Sequence, residues 1–145
     1  MKQITTIATA FAAMLTMTLT AQAHSNPDDA AQRCVTQIDT VADRCQEVIA
    51  DQTLNAVVRI ERLLRLGRVE AAIAEARESH AEATATVRFC SGMIDDICEK
   101  GVRYLLSVGA NTLARRVQNH CDETRDGLLD LLDRQLEFLD DALNG

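Results

Sequence analysis

The stretch VEAAIAEARESHAEATATVRFCSGMIDDICEKGVRYL, residues 69–105, decides the fold predicted for this chain. Apolar and small residues recur along it with spacings that alternate between four and three. Such a heptad pattern is typical of a long helix that packs against partner helices through a narrow stripe. The positions of the stripe are Val69, Ile73, Ala76, His80, Ala83, Val87, Cys90, Ile94, Ile97, Gly101 and Leu105.

Two further helices can be placed against this one by their end signals. Asn26 is a candidate cap and Pro27 suits the first helical position, while Gly67 is a candidate left-handed cap at the other end of the same helix. Gly109 closes the second helix, and Asn111 is a candidate cap for the third. Because both connections are short, neighbouring helices must run antiparallel. We predict an all-α, up-down-up antiparallel three-helix bundle with long, coiled-coil-like helices at about residues 27–66, 68–108 and 111–143.

The third helix has a looser pattern than the second, and each helix contains a residue that could interrupt it. The sequence does not decide whether the helices are broken at these positions, which are Asp51, Gly92, Gly101 and Gly127. The apolar stripe predicted for the third helix consists of Leu113, Val117, Leu128, Leu132, Leu136, Leu139 and Leu143.

Residues 1–23 have the pattern of a secretory signal peptide. Lys2 supplies a basic start, residues 4–19 are free of charged side chains, and Ala21 to Ala23 form a small-x-small cleavage signal. We therefore expect a secreted or periplasmic protein with one domain, residues 24–145, that begins at His24 after cleavage.

The charge of the predicted domain argues against two classes of partner. Without Lys2 the chain has 14 basic and 22 acidic residues, a net charge of −8. An acidic protein is repelled by phosphate backbones, so we expect no nucleic-acid partner. We also expect no membrane contact after the signal is removed, because no second uncharged apolar run is present.

Five cysteines lie in the predicted domain, and export to an oxidising compartment favours disulfides between them. If the first turn centres near residues 67–68, facing residues on the first two helices have numbers that add to about 135. Cys45 and Cys90 meet this condition, so we predict that they pair. The same sum of residue numbers, taken at the second turn, favours a disulfide between Cys98 and Cys121 and leaves Cys34 as a free thiol. A nearly equal alternative is a disulfide between Cys34 and Cys98, which would leave Cys121 free.

The odd cysteine leaves two alternatives to a purely structural role. Cys34, Cys98 and Cys121 are expected at about the same level along the bundle axis. They could hold a soft metal ion as thiolates, or act in thiol redox chemistry. A weaker alternative is a covalent homodimer through the unpaired cysteine. His80, at a stripe position, could be a ligand or a pH-sensitive group, although a partly buried, hydrogen-bonded histidine is more common.

One short segment has a recognisable likeness. Leu63 to Ala76, with Leu66-Gly67 followed by Ala71-Ala72-Ile73, is similar to the helix-turn segment of a tetratricopeptide repeat. It occurs once, with no second copy at that repeat's period, so the resemblance implies a tight helical hairpin and not an array.

The sequence contains no nucleophile motif, phosphate-binding loop or calcium loop. We therefore expect no enzymatic activity and no cofactor. The leading prediction is an exported, non-enzymatic interaction or structural module, with a protein partner or self-association.

Overall fold

The structure is a computed structural model that describes residues 26–145 as three helices in one bundle. The helices are α1 (Pro27–Arg65), α2 (Val69–Ser107) and α3 (Asn111–Asn144), and every pair of them packs together. No strand occurs among these residues. The prediction of an all-α, up-down-up three-helix bundle is confirmed. The predicted signal peptide and His24 lie outside the described residues.

The helix ends follow the end signals with one exception. Asn26 caps α1, since its Oδ1 accepts from the Asp28 backbone N–H at 3.1 Å. Gly67 and Gly109 have φ values of +70° and +75°, the left-handed conformation that lets the chain reverse within three residues. The prediction that Asn111 caps α3 is wrong. Ala110 holds that position, because its carbonyl already accepts from the Ala114 N–H at 3.0 Å.

None of the three helices is broken. Asp51, Gly92, Gly101 and Gly127 all lie inside continuous α-helix. The glycines cost about 1 kcal/mol each in helix propensity, which packing of the apolar faces outweighs. No helix within residues 26–145 combines the length and apolarity needed to cross a bilayer.

The stripe of α2 faces the core over most of its length. Ala76 to Leu105 lie inside as predicted, apart from a half-buried His80. Val69 and Ile73 are exposed, which the stripe did not predict. At that end Ala72 lies in the core instead, packed with Ala76 against Ile60 and Leu139.

The core consists of two apolar clusters of unequal size. The larger lies at the end where α1 begins, and the smaller lies around Ile60 and Leu139 near the first turn. Where the two clusters meet, the buried side chains of α1 and α2 are small: Ala56 of the smaller cluster, Ser79, and Ala83 of the larger cluster. At this level of the bundle α1 and α2 contribute small buried side chains to the core.

A polar group from α3 lies in the core next to this level. Gln135 is 3% exposed, whereas Leu136, predicted to be buried, is 41% exposed. Cys121, Leu128 and Gln135 are seven residues apart, so they lie on one face of α3. The predicted steps of four, through Leu132 to Leu136, rotate by about 40° each and leave that face.

Ion pairs tie the helices together at the surface. Arg125 of α3 pairs with Asp95 of α2, and Arg59 of α1 pairs with Glu75 of α2 at 2.5 Å. Within residues 26–145 no ion pair joins Arg59, Arg62 or Arg65, near the end of α1, to a carboxylate of α3.

Candidate functional site

Two cysteine pairs lie at disulfide-bonding separation. The Cα atoms of Cys45 and Cys90 are 6.3 Å apart, and those of Cys98 and Cys121 are 6.4 Å apart. Both values fall within the range of protein disulfides. They are the pairs that helix register favoured. Among the described residues Cys34 is the one free cysteine, and it is 2% exposed.

Cys34 packs against Gly101, while Cys98, the rival partner, pairs with Cys121. A Cβ atom added to Gly101 would overlap the Cys34 sulfur and would lie 3.5 Å from the Cys34 Cβ. The absence of a side chain at residue 101 makes the space that this thiol occupies.

The geometry weighs against the metal and covalent-dimer alternatives. Cys98 and Cys121 point at each other, and no group of three histidine, cysteine or carboxylate side chains within residues 26–145 is arranged around a common point. The Cys34 side chain is buried inside the bundle, so its sulfur is not accessible to a second copy of the chain.

Burial raises the pKa of the Cys34 thiol, and the charge of Arg33 opposes this only in part. A thiol with a raised pKa is mostly protonated near neutral pH and reacts slowly with oxidants or metals.

The raised pKa predicts how stability depends on pH. The unfolded thiol ionises first, at about pH 8.5, so the contribution of Cys34 is complete below that pH and is lost as pH rises through the folded pKa. We expect the free energy of unfolding to fall more steeply above about pH 8.5 in the wild-type protein than in Cys34→Ala. Urea titrations at a series of pH values measure this, and parallel curves for the two proteins would contradict it.

An apolar concavity lies elsewhere, between the parallel helices α1 and α3. This groove has a volume of about 400 Å³. Its α1 wall extends over three helical turns and its α3 wall over two. The lining residues are Gln46, Ile49, Ala50, Thr53, Leu54, Val57, Leu131, Arg134, Gln135 and Phe138.

The floor of the groove is held by the buried amide of Gln135. Its Oε1 accepts from His80 Nδ1 at 2.9 Å, and its Nε2 donates to the Ser79 hydroxyl at 3.4 Å. His80 thus has the hydrogen-bonded, partly buried role that is more common for a histidine at such a position. Because α2 satisfies both ends of the amide, its side chain is fixed and the groove has a defined shape.

Two large apolar side chains stand at the lips of the groove. Leu54 on α1 and Phe138 on α3 are each 65% exposed. Val58, one turn along α1 from Leu54, is exposed as well. Clustered exposure of this kind marks interaction surfaces more often than the isolated apolar residues found on every protein.

A second concavity lies between the same helices, nearer the start of α3. It is polar, and its side chains already form hydrogen bonds within the protein. Arg116 reaches Gln32 at 3.4 Å and His120 reaches Asp39 at 2.7 Å, so two of its donors are engaged with α1. The groove around Leu54 and Phe138 is therefore the better candidate for a site.

No family model, curated protein or solved structure matches this chain. The groove must accordingly be interpreted from its own residues. The groove was not among the predicted features, although Phe138 is an apolar residue outside the stripe predicted for the third helix, and that mismatch was the available signal.

Proposed function

We propose that this protein is an exported, non-enzymatic helical module, stapled by two disulfides, that binds a protein partner through the groove between α1 and α3. The observation that carries the proposal is the exposure of Leu54 and Phe138 beside a concavity of about 400 Å³. Burying such side chains in a complex contributes about 1.5–3 kcal/mol each, the size of an interface hot spot.

Export is supported by two independent features. The first 23 residues have the signal-peptide pattern, and four of the five cysteines lie at disulfide-bonding separation. Disulfides persist in oxidising compartments such as the periplasm or the extracellular space.

The shape of the bundle favours binding over catalysis. The groove is lined mainly by apolar side chains, and it combines no pair of carboxylates or nucleophile with a base. A groove between two parallel helices instead matches the way amphipathic helices bind to helical proteins.

Site-specific photo-crosslinking in the cells that produce the protein tests this proposal. A photoreactive side chain replaces Leu54 in one variant and Leu66 in a control, since Leu66 is equally exposed but lies at the end of the bundle, away from the groove. We expect a discrete adduct with another protein from position 54 and little from position 66. Equal adduct formation at both positions, or none at position 54, would contradict a binding role for the groove.

A further inference from the structure

The charges around the groove indicate what kind of partner it accepts. Carboxylates surround the groove within one turn of its lining residues on both helices, and all of them are exposed. They include Asp43, Glu47 and Glu61 on α1, and Asp130, Glu137 and Asp141 on α3. Arg134 is the cationic side chain in the lining itself.

Most of these carboxylates are not neutralised within the protein. Glu47 pairs with Arg44 at 3.1 Å. None of the other five makes an ion pair within residues 26–145, although carboxylates elsewhere, such as Asp95 and Glu75, do. The apolar groove is therefore bordered by carboxylates that form no ion pair within the described residues and are free to pair with a partner.

This charge distribution discriminates between possible occupants. A second copy of the chain would bring the same acidic rim to the contact, and like charges brought together at an interface are repelled. An anionic lipid surface is disfavoured for the same reason. A basic partner is attracted, and its association is accelerated by the field of the acidic protein.

The dimensions of the groove fit a helix. Its α1 wall, from Gln46 to Val57, is about 16 Å long, which is three turns of α-helix. A helix lying there would contact α1 and α3 together and become the fourth helix of the bundle. Its inward side chains would be spaced by three and four residues, in step with Ala50, Leu54 and Val57.

We propose that the groove binds an amphipathic helix of a partner protein whose apolar face enters the groove and whose flanking positions are lysine or arginine. This inference rests on the proposed function and adds the chemical class of the partner. Apolar contacts with Leu54 and Phe138 hold the helix in place, and the rim carboxylates select its charge.

Three designed peptides of about four turns, long enough to fill the groove, test the proposal. The first has leucines on one face and lysines elsewhere. The second has the same composition with its leucines rearranged so that no apolar face forms, and the third has glutamate in place of every lysine. Isothermal titration against the oxidised protein should show binding of the first peptide that is at least about tenfold tighter than that of either control.

Variants locate the binding surface. Phe138→Gln should weaken binding of the first peptide by about tenfold, whereas Leu129→Gln, a comparably exposed position on the α2 side of α3, should leave it unchanged. Reversal of the rim charges Asp130→Lys and Glu137→Lys together should weaken binding and reduce its dependence on salt. All four positions are exposed, so the variants should fold, which circular dichroism verifies.

The proposal is overturned if the first peptide does not bind, if the rearranged peptide binds equally well, or if Phe138→Gln and Leu129→Gln have the same effect. These results are distinguishable from failure of the proposed function. A crosslinked partner at position 54 that proves to be a second copy, or an acidic helix, would keep the binding role and reject this partner chemistry. Tight peptide binding without any crosslinked protein in cells would reject the proposed function and show only that the groove accepts a basic amphipathic helix.

Discussion

Reduction of both disulfides is expected to lower the free energy of unfolding by about 7 kcal/mol in the chain-entropy treatment. The Cys45–Cys90 pair spans 45 residues and the Cys98–Cys121 pair spans 23. Loops of these lengths correspond to about 4 and about 3 kcal/mol, and the two loops do not overlap in sequence. Because domains of this size have total stabilities of about 5–15 kcal/mol, reduction should remove about half of the free energy of unfolding or more.

Urea unfolding followed by circular dichroism, with and without a phosphine reductant, measures this effect. Cys34→Ala serves as the control, since it removes the free thiol and leaves both pairs in place. Replacing Cys45 and Cys90 together by alanine should cost more than replacing Cys98 and Cys121, because the first loop is longer. Unchanged unfolding after complete reduction would show that the bundle does not depend on its cysteines.

Gly101→Ala is expected to destabilise the protein by about 2 kcal/mol, although alanine is the better helix former. The added methyl group would overlap the sulfur of Cys34, which is buried and has little room to turn aside. Overpacking of this kind costs about 1–3 kcal/mol and outweighs the gain in helix propensity.

In a Cys34→Ala background, Gly101→Ala should raise the free energy of unfolding instead of lowering it. With the sulfur removed, Gly101→Ala fills the vacated space and gains about 1 kcal/mol of helix propensity. A double-mutant cycle measured by urea unfolding gives the coupling between the two sites. Equal destabilisation by Gly101→Ala in both backgrounds would show that the contact between residues 34 and 101 has no energetic weight.

Much of the fold could be predicted because local signals and register agree. Left-handed glycines at positions 67 and 109 fix both turns. Once the turns of an antiparallel bundle are known, the number of a residue gives its level along the bundle axis. That relation pointed to Cys45 facing Cys90. The choice between Cys98 and its rival partner was open because height does not specify which neighbour a side chain faces.

The core near the groove was harder to predict because it departs from simple apolar patterning. Gln135 occupies a core position that a leucine would normally fill, and its burial depends on Ser79 and His80, which lie more than 50 residues away in sequence. A search for apolar spacing selects the neighbouring Leu136 instead. Hydrogen bonds between distant residues cannot be read from the periodicity of one helix.

The groove escaped prediction for a related reason. It depends on α1 and α3 lying side by side, and on the buried amide of Gln135 that α2 holds at the groove floor. Both conditions belong to the assembled bundle. The exposed residues Leu54 and Phe138 form one surface only when the two helices lie side by side.

The most direct test of the binding role compares two positions on α3 by photo-crosslinking in the producing cells. Phe138 lies at the lip of the groove, and Leu129 is exposed on the side toward α2. The proposed function predicts that a photoreactive side chain at position 138 gives a protein adduct at about ten times the yield obtained at position 129, a contrast expected for a defined interface. Equal yields at the two positions would show that the groove is not the surface through which this protein acts.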